Sequence, residues 1–548
     1  MNTMFSTLHR SLRHLVNRVG PNNDVPKTDS AVGRFGEVVA MALIGVSLVF
    51  RILWLDRVPG VNGDEAWYGV QAVRFVDGKT WSWQTPSGLP VNPMLFVTEV
   101  LLLKIWSPSF LILRIPIAIW ACAGLAITFV LHRWYSGSRG EALLVVALTG
   151  CMPAHLAYSR FCWDSSFAFV AFPLVLYPFL RIVQGVRSIQ VVLLLFAGTL
   201  LCLWVHVTHA ILIVAAALIW AWNARSALAT PARRRPITST ALVLIVAGAL
   251  VLVFRKQHAM RILIDSATSS LDRFPLHLKV LADLFAGMRI YDYLAGLPST
   301  GSAWWTVPVF CLMSVVILLA LLRSGDTADR SLALLALLSL LLIFLTGRAF
   351  RLDDASYERY FLYAFPLSAV VLVRGVRVVM PSVGSEPGKL LAALPLVLAV
   401  CFLVQFWFCY FAVIRSQAFD SRLHQTFHTG TREPKAELAS ALSERLQRES
   451  HAVIYTENWW LHHSVDYLLR CRYEVRRETI PVDSTTQSFV VGFAESGFVS
   501  AVRDKFGPLD GVRRESQFGN SNGQPILLLL EIGSPGNDGE TVPDQTRD

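Results

Sequence analysis

Two adjacent acids are the residues of this chain best placed to do chemistry. In VPGVNGDEAWYGVQAVRF (58–75), Asp64 and Glu65 precede a helix-like stretch that carries Trp67, Tyr68 and Phe75. A carboxylate within hydrogen-bond reach of an attacking hydroxyl can take its proton, which is the work of a general base. The same pattern also has a plainer meaning. Acids near a helix start are favoured by the helix dipole, and aromatics there anchor a helix at a membrane interface. Which meaning applies depends on where the surrounding elements put the pair.

Those elements follow from composition. A chain of 548 residues would make three or four soluble domains at about 150 residues each. Hydrophobic residues, however, make up 54% and charged residues only 16%, against roughly 25% charged in soluble domains. Mean hydropathy is +0.48. A soluble multidomain enzyme, a disordered scaffold and a secreted disulfide protein are thereby excluded, and a multi-span membrane protein is expected. The net charge of +10 reads as loop charge that sets topology, not as a nucleic-acid surface, because no basic run is interleaved with aromatics. Cys122, Cys151, Cys162, Cys202, Cys311, Cys401 and Cys409 lie in or beside apolar runs, and Cys471 lies in a polar region. No CxxC pair occurs, so neither a zinc site nor a disulfide framework is supported. Residues 1–35 are polar and basic, which points to a first span that serves as its own insertion signal.

Apolar runs suited to about 30 Å of hydrocarbon occur near 36–55, 109–132, 141–157, 163–181, 189–206 and 209–223. Others occur near 238–254, 304–322, 331–347, 360–380 and 388–413. The segment 92–106 (NPMLFVTEVLLLKIW) carries Glu99 and Lys104 and is short for a span. It is expected to lie at the interface with Trp106 as anchor. Starting inside, the inner connections then hold Arg133 and Arg139, Arg181 and Arg187, Arg233 to Arg235, Arg323 and Arg330, and Arg374, Arg377 and Lys389. Counting 92–106 as a span would place Arg233–Arg235 outside, against the positive-inside rule. The predicted architecture is an α-helical polytopic membrane protein with about eleven transmembrane helices and a cytoplasmic N-terminus.

Three long outside segments remain, 56–108, 255–303 and the chain from about 415. In the second, LKVLADLFAGMRIYDYL is amphipathic and is expected to form another interfacial helix. Residues 414–532 are expected to form a small extracytoplasmic α/β domain. Its strands are AVIYT, YEVRRE, SFVVGF and PILLLLEI, with helices at WWLHHSVDYLLR and 496–506. Residues 533–548 read as a disordered tail. No internal repeat is evident, which weakens an inverted-repeat transporter.

Order and sidedness of the motifs carry a resemblance. The sequence is similar to the C-type membrane glycosyltransferases (GT-C), which include protein O-mannosyltransferases and the lipid A aminoarabinose transferase. After the first span comes the acidic motif Asp64-Glu65-Ala66-Trp67-Tyr68, then a Pro-containing interfacial helix, VNPMLF (91–96). Arg114 in LILRIP, AYSRFCWDSSF (157–167) and Glu358-Arg359-Tyr360 in ERYFLYAFPL follow in family order over about residues 36–380.

The resemblance implies a polyprenyl-phosphate-linked sugar donor and a lipid, glycan or protein acceptor outside the inner membrane. Asp64 is implied as catalytic base in a single inverting displacement. Glu65 is implied to orient Asp64, bind a sugar hydroxyl or contribute to a metal site, and Asp164 is implied as a second acid of the same cavity. Arg160, Arg359 and Arg114 are implied to face the lipid phosphate, with His206 and His209 behind them; an Arg fork suits a phosphate. Tyr68, Tyr360 and Asn92 are implied to line the substrate site. Asn92 stands where some relatives carry Lys or His before the proline, so that route to phosphate is absent here. A divalent metal is compatible with the acids, although HVTH (206–209) lacks a third ligand and reads as polar packing. The trailing WWLHH (459–463) reads either as core packing or as an acceptor contact. Two other functions fit the same architecture: a transporter or flippase of a lipid-linked glycan, and a non-enzymatic envelope assembly protein.

Overall fold

The computed structural model describes residues 33–86, 90–186, 188–228, 274–295, 306–346, 357–380, 385–416, 431–447, 452–481, 487–506 and 511–533. The helices in chain order are α1 (Gly33–Ile52), α2 (Gly63–Val76), α3 (Pro93–Leu103), α4 (Phe110–Ser136), α5 (Arg139–Cys151) and α6 (Pro153–Tyr158). Next come α7 (Ala168–Val183), α8 (Ile189–Val205), α9 (Ala210–Leu228), α10 (Phe274–Phe285), α11 (Met288–Ala295) and α12 (Thr306–Arg323). Then follow α13 (Thr327–Thr346), α14 (Ala364–Val379), α15 (Ser385–Phe406), α16 (Pro434–Leu446), α17 (Trp459–Leu468) and α18 (Gly497–Phe506). Five strands lie in the last third: β1 (Val453–Thr456), β2 (Glu474–Arg477), β3 (Ser488–Phe493), β4 (Val512–Gly519) and β5 (Pro525–Ile532).

The chain divides into two compact units. One comprises Met1–Leu53, Ile117–Tyr293 and Pro298–Phe408; the other comprises Trp54–Pro116, Leu294–Leu297 and Cys409–Asp548. Among the described residues, five helices are long and apolar enough to cross a bilayer: Gly33–Ile52, Phe110–Ser136, Asp164–Val183, Thr327–Leu345 and Leu390–Ala412. Pro93–Leu103, Ile189–Val205, Ala210–Asn223 and Ser314–Arg323 are apolar but shorter. The run predicted at 238–254 and the tail from 534 lie outside the described residues.

In the first unit the helices pack through small residues. A Cβ on Gly124 would stand 2.6 Å from the Phe169 carbonyl, and one on Gly198 2.5 Å from the Leu174 carbonyl. The run predicted at 141–157 is two helices, because Pro153 has no N–H to continue α5. At the break, buried Arg51 of α1 donates to the Gly150 carbonyl at 3.0 Å and to Ser47 O at 2.6 Å, with His155 Nδ1 at 2.8 Å. The single amphipathic helix expected in 255–303 is likewise two, α10 and α11. They are divided at Gly287, whose φ of +78° favours glycine and whose missing side chain leaves room for Pro153.

One end of this unit is tied by buried charge. Arg374 of α14 pairs with Asp329 of α13 at 2.6 Å and with Glu141 of α5 at 3.2 Å. Arg377 also pairs with Glu141, and His132 of α4 lies 2.9 Å from it. Helix α14 runs from this network toward Tyr360 at its other end, a length of about 24 Å at the helical rise per residue.

The second unit holds a five-stranded sheet in the order β2-β1-β3-β5-β4. β2, β1 and β3 are parallel, and β5 and β4 are antiparallel additions. All six residues of β3 are buried, and the period of two splits them between two cores. Phe489 and Val491 pack with Leu438, Leu442, Leu461 and Val465 of α16 and α17. Val490 packs with Val499, Val502 and Phe506 of α18. A central strand covered by helices on both faces is the arrangement that such a near-continuous apolar run demands. Two elements here go beyond the sequence prediction. α16 is polar apart from Leu438, Leu442 and Leu446, whose spacing of four marks one buried helix face. β4 (VRRESQFG) is a polar edge strand that draws its partners from β5.

The charge network makes a first prediction. Glu141→Ala leaves Arg374, Arg377 and His132 without their shared partner in a buried site. A loss of about 3–5 kcal/mol is expected, read as a lowered melting temperature in detergent; an unchanged melting curve would contradict it.

Candidate active site

The acidic motif sits at the start of α2. Asn62 is its N-cap: Asn62 Oδ1 accepts from the Glu65 backbone N–H at 3.0 Å, and the Asn62 N–H donates back to Glu65 Oε1 at 3.3 Å. This reciprocal capping box fixes the Glu65 carboxylate. Arg114 of α4 grips the same carboxylate through Nε to Oε2 at 2.8 Å and Nη2 to Oε1 at 2.7 Å. Its remaining donors go to the carbonyls of Leu55 (3.2 Å), Pro59 (2.8 Å) and Gly60 (3.2 Å). Both side chains are wholly buried.

A guanidinium has five N–H donors, and here each has a protein acceptor. Arg114 therefore departs from the implied role as a phosphate contact. It ties loop 55–60 to the head of α2. Glu65 is the other half of that tie. Asp64 is half-buried, and its Oδ1 accepts from the indole N–H of Trp459 at 2.9 Å.

The helix that carries Trp459 is keyed to α2 along its length. A Cβ at Gly63 would overlap the Trp459 carbonyl, and one at Gly69 would press on the Tyr467 ring. Arg74 pairs with Asp466 at 3.2 Å, and Arg470 pairs with Asp77 at 3.1 Å. Tyr467 donates its hydroxyl to Ser109 O at 3.1 Å. Tyr68 is buried, its ring edge-on to Trp67 at 5.3 Å. Asn92 caps α3, with Oδ1 accepting from Met94 N at 3.0 Å and Leu95 N at 3.5 Å. A residue that caps a helix ahead of proline accounts for Asn92 without a substrate.

In the first unit a second cluster gathers around Tyr360. Its ring stacks on His206 at 3.9 Å and 9°, and its carbonyl accepts from Thr208 Oγ1 at 2.6 Å. The Arg359 guanidinium lies over the Trp163 ring at 4.2 Å and is half-buried. The next residue, Asp164, starts the 3-10 turn Asp164–Phe167, and its Oδ1 accepts from Ser165 N at 2.8 Å. Arg160 is turned inward: Nη1 and Nη2 donate to Phe50 O at 2.5 Å and Leu53 O at 2.8 Å, close to the C-terminus of α1. A buried cation there meets carbonyls at the negative end of a helix dipole. His209 is fully buried, with Nδ1 2.9 Å from Cys202 O, so the ring carries its proton on Nδ1. The implied cations thus separate by environment. Arg359 has an aromatic face and partial exposure, whereas Arg114 and Arg160 are engaged with carbonyls. Among the described residues no group of three His, Cys, Asp or Glu side chains converges as a metal site.

Sequence reasoning left the partner of Asp64 open. Trp459 lies 395 residues away from it, and the visible hint was the small residue Gly63 beside the acids.

No family model and no curated protein matches the chain. Among solved structures it is similar to ArnT from Cupriavidus metallidurans bound to undecaprenyl phosphate. The identity is 12%, the cover 90% of this chain and 99% of that one, and the TM-score 0.48. The apo state of ArnT gives the same identity and cover with a TM-score of 0.49. The archaeal oligosaccharyltransferase AglB from Archaeoglobus fulgidus, in complex with an inhibitory peptide and a dolichol-phosphate, is similar at 12% identity. There the cover is 84% of this chain and 69% of that one, with a TM-score of 0.42. These neighbours are C-type glycosyltransferases, the class that the sequence resembles. They are distant likenesses of fold, so the chemistry is argued from this chain's own residues.

Two predictions follow from this geometry. Arg114→Ala strands the Glu65 carboxylate in a buried site and should lower stability by about 3–5 kcal/mol. Arg114→Lys should recover little of it, because an ammonium lacks the fork. Thermal melts of the three proteins decide this, and a fully restored lysine variant would contradict it. The second concerns acid. Burial pushes His462 down to about 4 and His463 down to about 3, from an ordinary value of 6.5. Between those values the unfolded chain binds more protons, so their contribution to stability is complete above pH 6.5 and falls as pH drops toward 4. Replacing both with phenylalanine should flatten that acid loss in melting temperature; an equally steep loss would contradict it.

Proposed function

We propose that the protein is an inverting glycosyltransferase that moves a sugar from a polyprenyl-phosphate donor to an envelope acceptor, with Asp64 as general base. The observation that carries this reading is the division of labour between two neighbouring acids. Glu65 is neutralised in a buried pair with Arg114, while Asp64 is half-buried and accepts from the Trp459 indole. A partly exposed acid held at a helix start, beside one already neutralised, suits proton abstraction.

In the proposed step the Asp64 carboxylate takes the proton of an acceptor hydroxyl or amine as that atom bonds to the anomeric carbon. The bond from that carbon to the phosphate oxygen breaks on the opposite face, and its electron pair leaves with the polyprenyl phosphate. Charge then grows on the phosphate, where fixed cations lower the barrier most. The sequence resemblance assigns that role to Arg359, which has Tyr360 and His206 beside it in its own unit, and makes Asp164 a sugar contact. Arg160 is assigned here to holding the end of α1.

A cavity of about 340 Å³ in the first unit is lined by Leu148, Leu281, Phe285, Ile317, Leu340 and Phe402 among others. Its apolar wall suits an isoprenoid chain. The topology proposed with this reaction has about eleven spans, a cytoplasmic N-terminus and 414–532 as an extracytoplasmic domain of an inner-membrane protein. The common location of Glu141, Asp329, Arg374 and Arg377 at one end of α14 supports the side assigned to those loops.

Asp64→Asn keeps an acceptor for the Trp459 indole and removes the proton-accepting charge. Transfer in isolated membranes, followed by mass spectrometry of envelope glycans and proteins, is expected to fall about 10²- to 10⁴-fold at unchanged melting temperature. Full activity at normal abundance would sink the assignment of the base.

A further inference from the structure

The carboxylate of an aspartate turns about χ2 in a broad, two-fold well, so a base at this position needs something to set its plane. The indole N–H of Trp459 supplies a donor to Asp64 Oδ1 at 2.9 Å. The place of Trp459 is fixed independently of that bond. Asn458 Oδ1 caps α17 by accepting from Trp460 N at 3.0 Å and Leu461 N at 3.3 Å. The ring of His463 meets the Trp459 ring edge-on at 4.2 Å, and the Arg477 guanidinium lies 5.3 Å from its centroid. Gly63, one residue before Asp64, leaves the space that the Trp459 carbonyl occupies. Close approach, cap and ring contacts together hold the indole where its one donor meets the acid.

We propose that Trp459 is a positioning residue for Asp64, so that a segment of the C-terminal α/β region sets the geometry of the transfer step. The proposal rests on Asp64 being the base. Trp459 does not touch the reacting atoms in this scheme. It acts by holding one carboxylate oxygen, which directs the acid toward the acceptor proton. General-base catalysis needs a heavy-atom separation of about 2.6–3.2 Å, and a misplacement of about 1 Å can cost on the order of 100-fold in rate. Phenylalanine at 459 keeps an aromatic ring beside His463 and Arg477 and removes the N–H with part of the indole, so an unchanged melting temperature separates the lost bond from lost packing.

The test has two arms on the full-length protein in detergent micelles. In the first, tryptophan indoles are labelled with nitrogen-15, and the Trp459 signal is assigned by its loss in Trp459→Phe. Asp64→Ala is expected to shift that signal upfield and speed its exchange with solvent; an unmoved signal overturns the contact whatever the activity. In the second, Trp459→Phe is expected to lower kcat by about 10- to 100-fold with KM for the donor within about twofold. A wild-type kcat overturns the positioning role. Failure of the underlying reading is seen separately, as Asp64→Asn that still transfers sugar while the indole contact persists.

Discussion

The pairing of Glu65 with Arg114 is the interaction on which the rest of the acidic site depends. Neither side chain reaches solvent, so each has given up the hydration of a full charge, a penalty of several kcal/mol per ion. Attraction alone offsets that only when the geometry is good and the leftover donors are met. Here the planar fork meets both carboxylate oxygens, and three loop carbonyls take the other donors. The capping box adds Asn62 to the same carboxylate. One guanidinium thus joins the end of loop 55–60, the head of α2 and the start of α4. Asp64, the residue before Glu65, shares the backbone position that this pair secures.

This explains why the site was only half legible in the sequence. Asp64-Glu65 and its place after an apolar run were visible, because composition and loop charge speak to membrane sidedness. Which acid is structural and which is available was not, since both have the same type and differ only in what lies across from them. Arg114 was read as a phosphate contact because an arginine before a span is common to both roles. Only the direction of its five donors separates them. The elements of the C-terminal region were more legible. β3 and β5 announce themselves as apolar runs, whereas α16 and β4 take their state from partners and carry a weak signal of their own.

The arginines of the first unit repeat the lesson. Arg51, Arg160 and Arg374 are buried polar groups in helices or at their ends, and each closes a gap in backbone or charge pairing. Arg51 meets the Gly150 carbonyl beside the Pro153 break, Arg160 meets Phe50 and Leu53, and Arg374 meets Asp329 and Glu141. In an apolar surround an unmet carbonyl is costly, and an arginine with several donors is an economical answer. Arg359 differs in kind. It lies on aromatic faces, Trp163 and Tyr360, which attract a cation through the ring quadrupole.

The two clusters therefore reach opposite electrostatic conditions by similar means. Around Asp64, the neighbouring Glu65 carboxylate takes Arg114, and the Trp459 indole donates to the acid. A neutral donor fixes a carboxylate more gently than a cation would, because it adds direction without the full Coulombic stabilisation that would blunt a base. Around Arg359, the Trp163 and Tyr360 rings face the guanidinium. In each case the fold sets an aromatic ring against the charged group. An acid that can take a proton and a cation that can meet a phosphate are the two requirements of the proposed transfer, which moves a proton one way and an anionic leaving group the other.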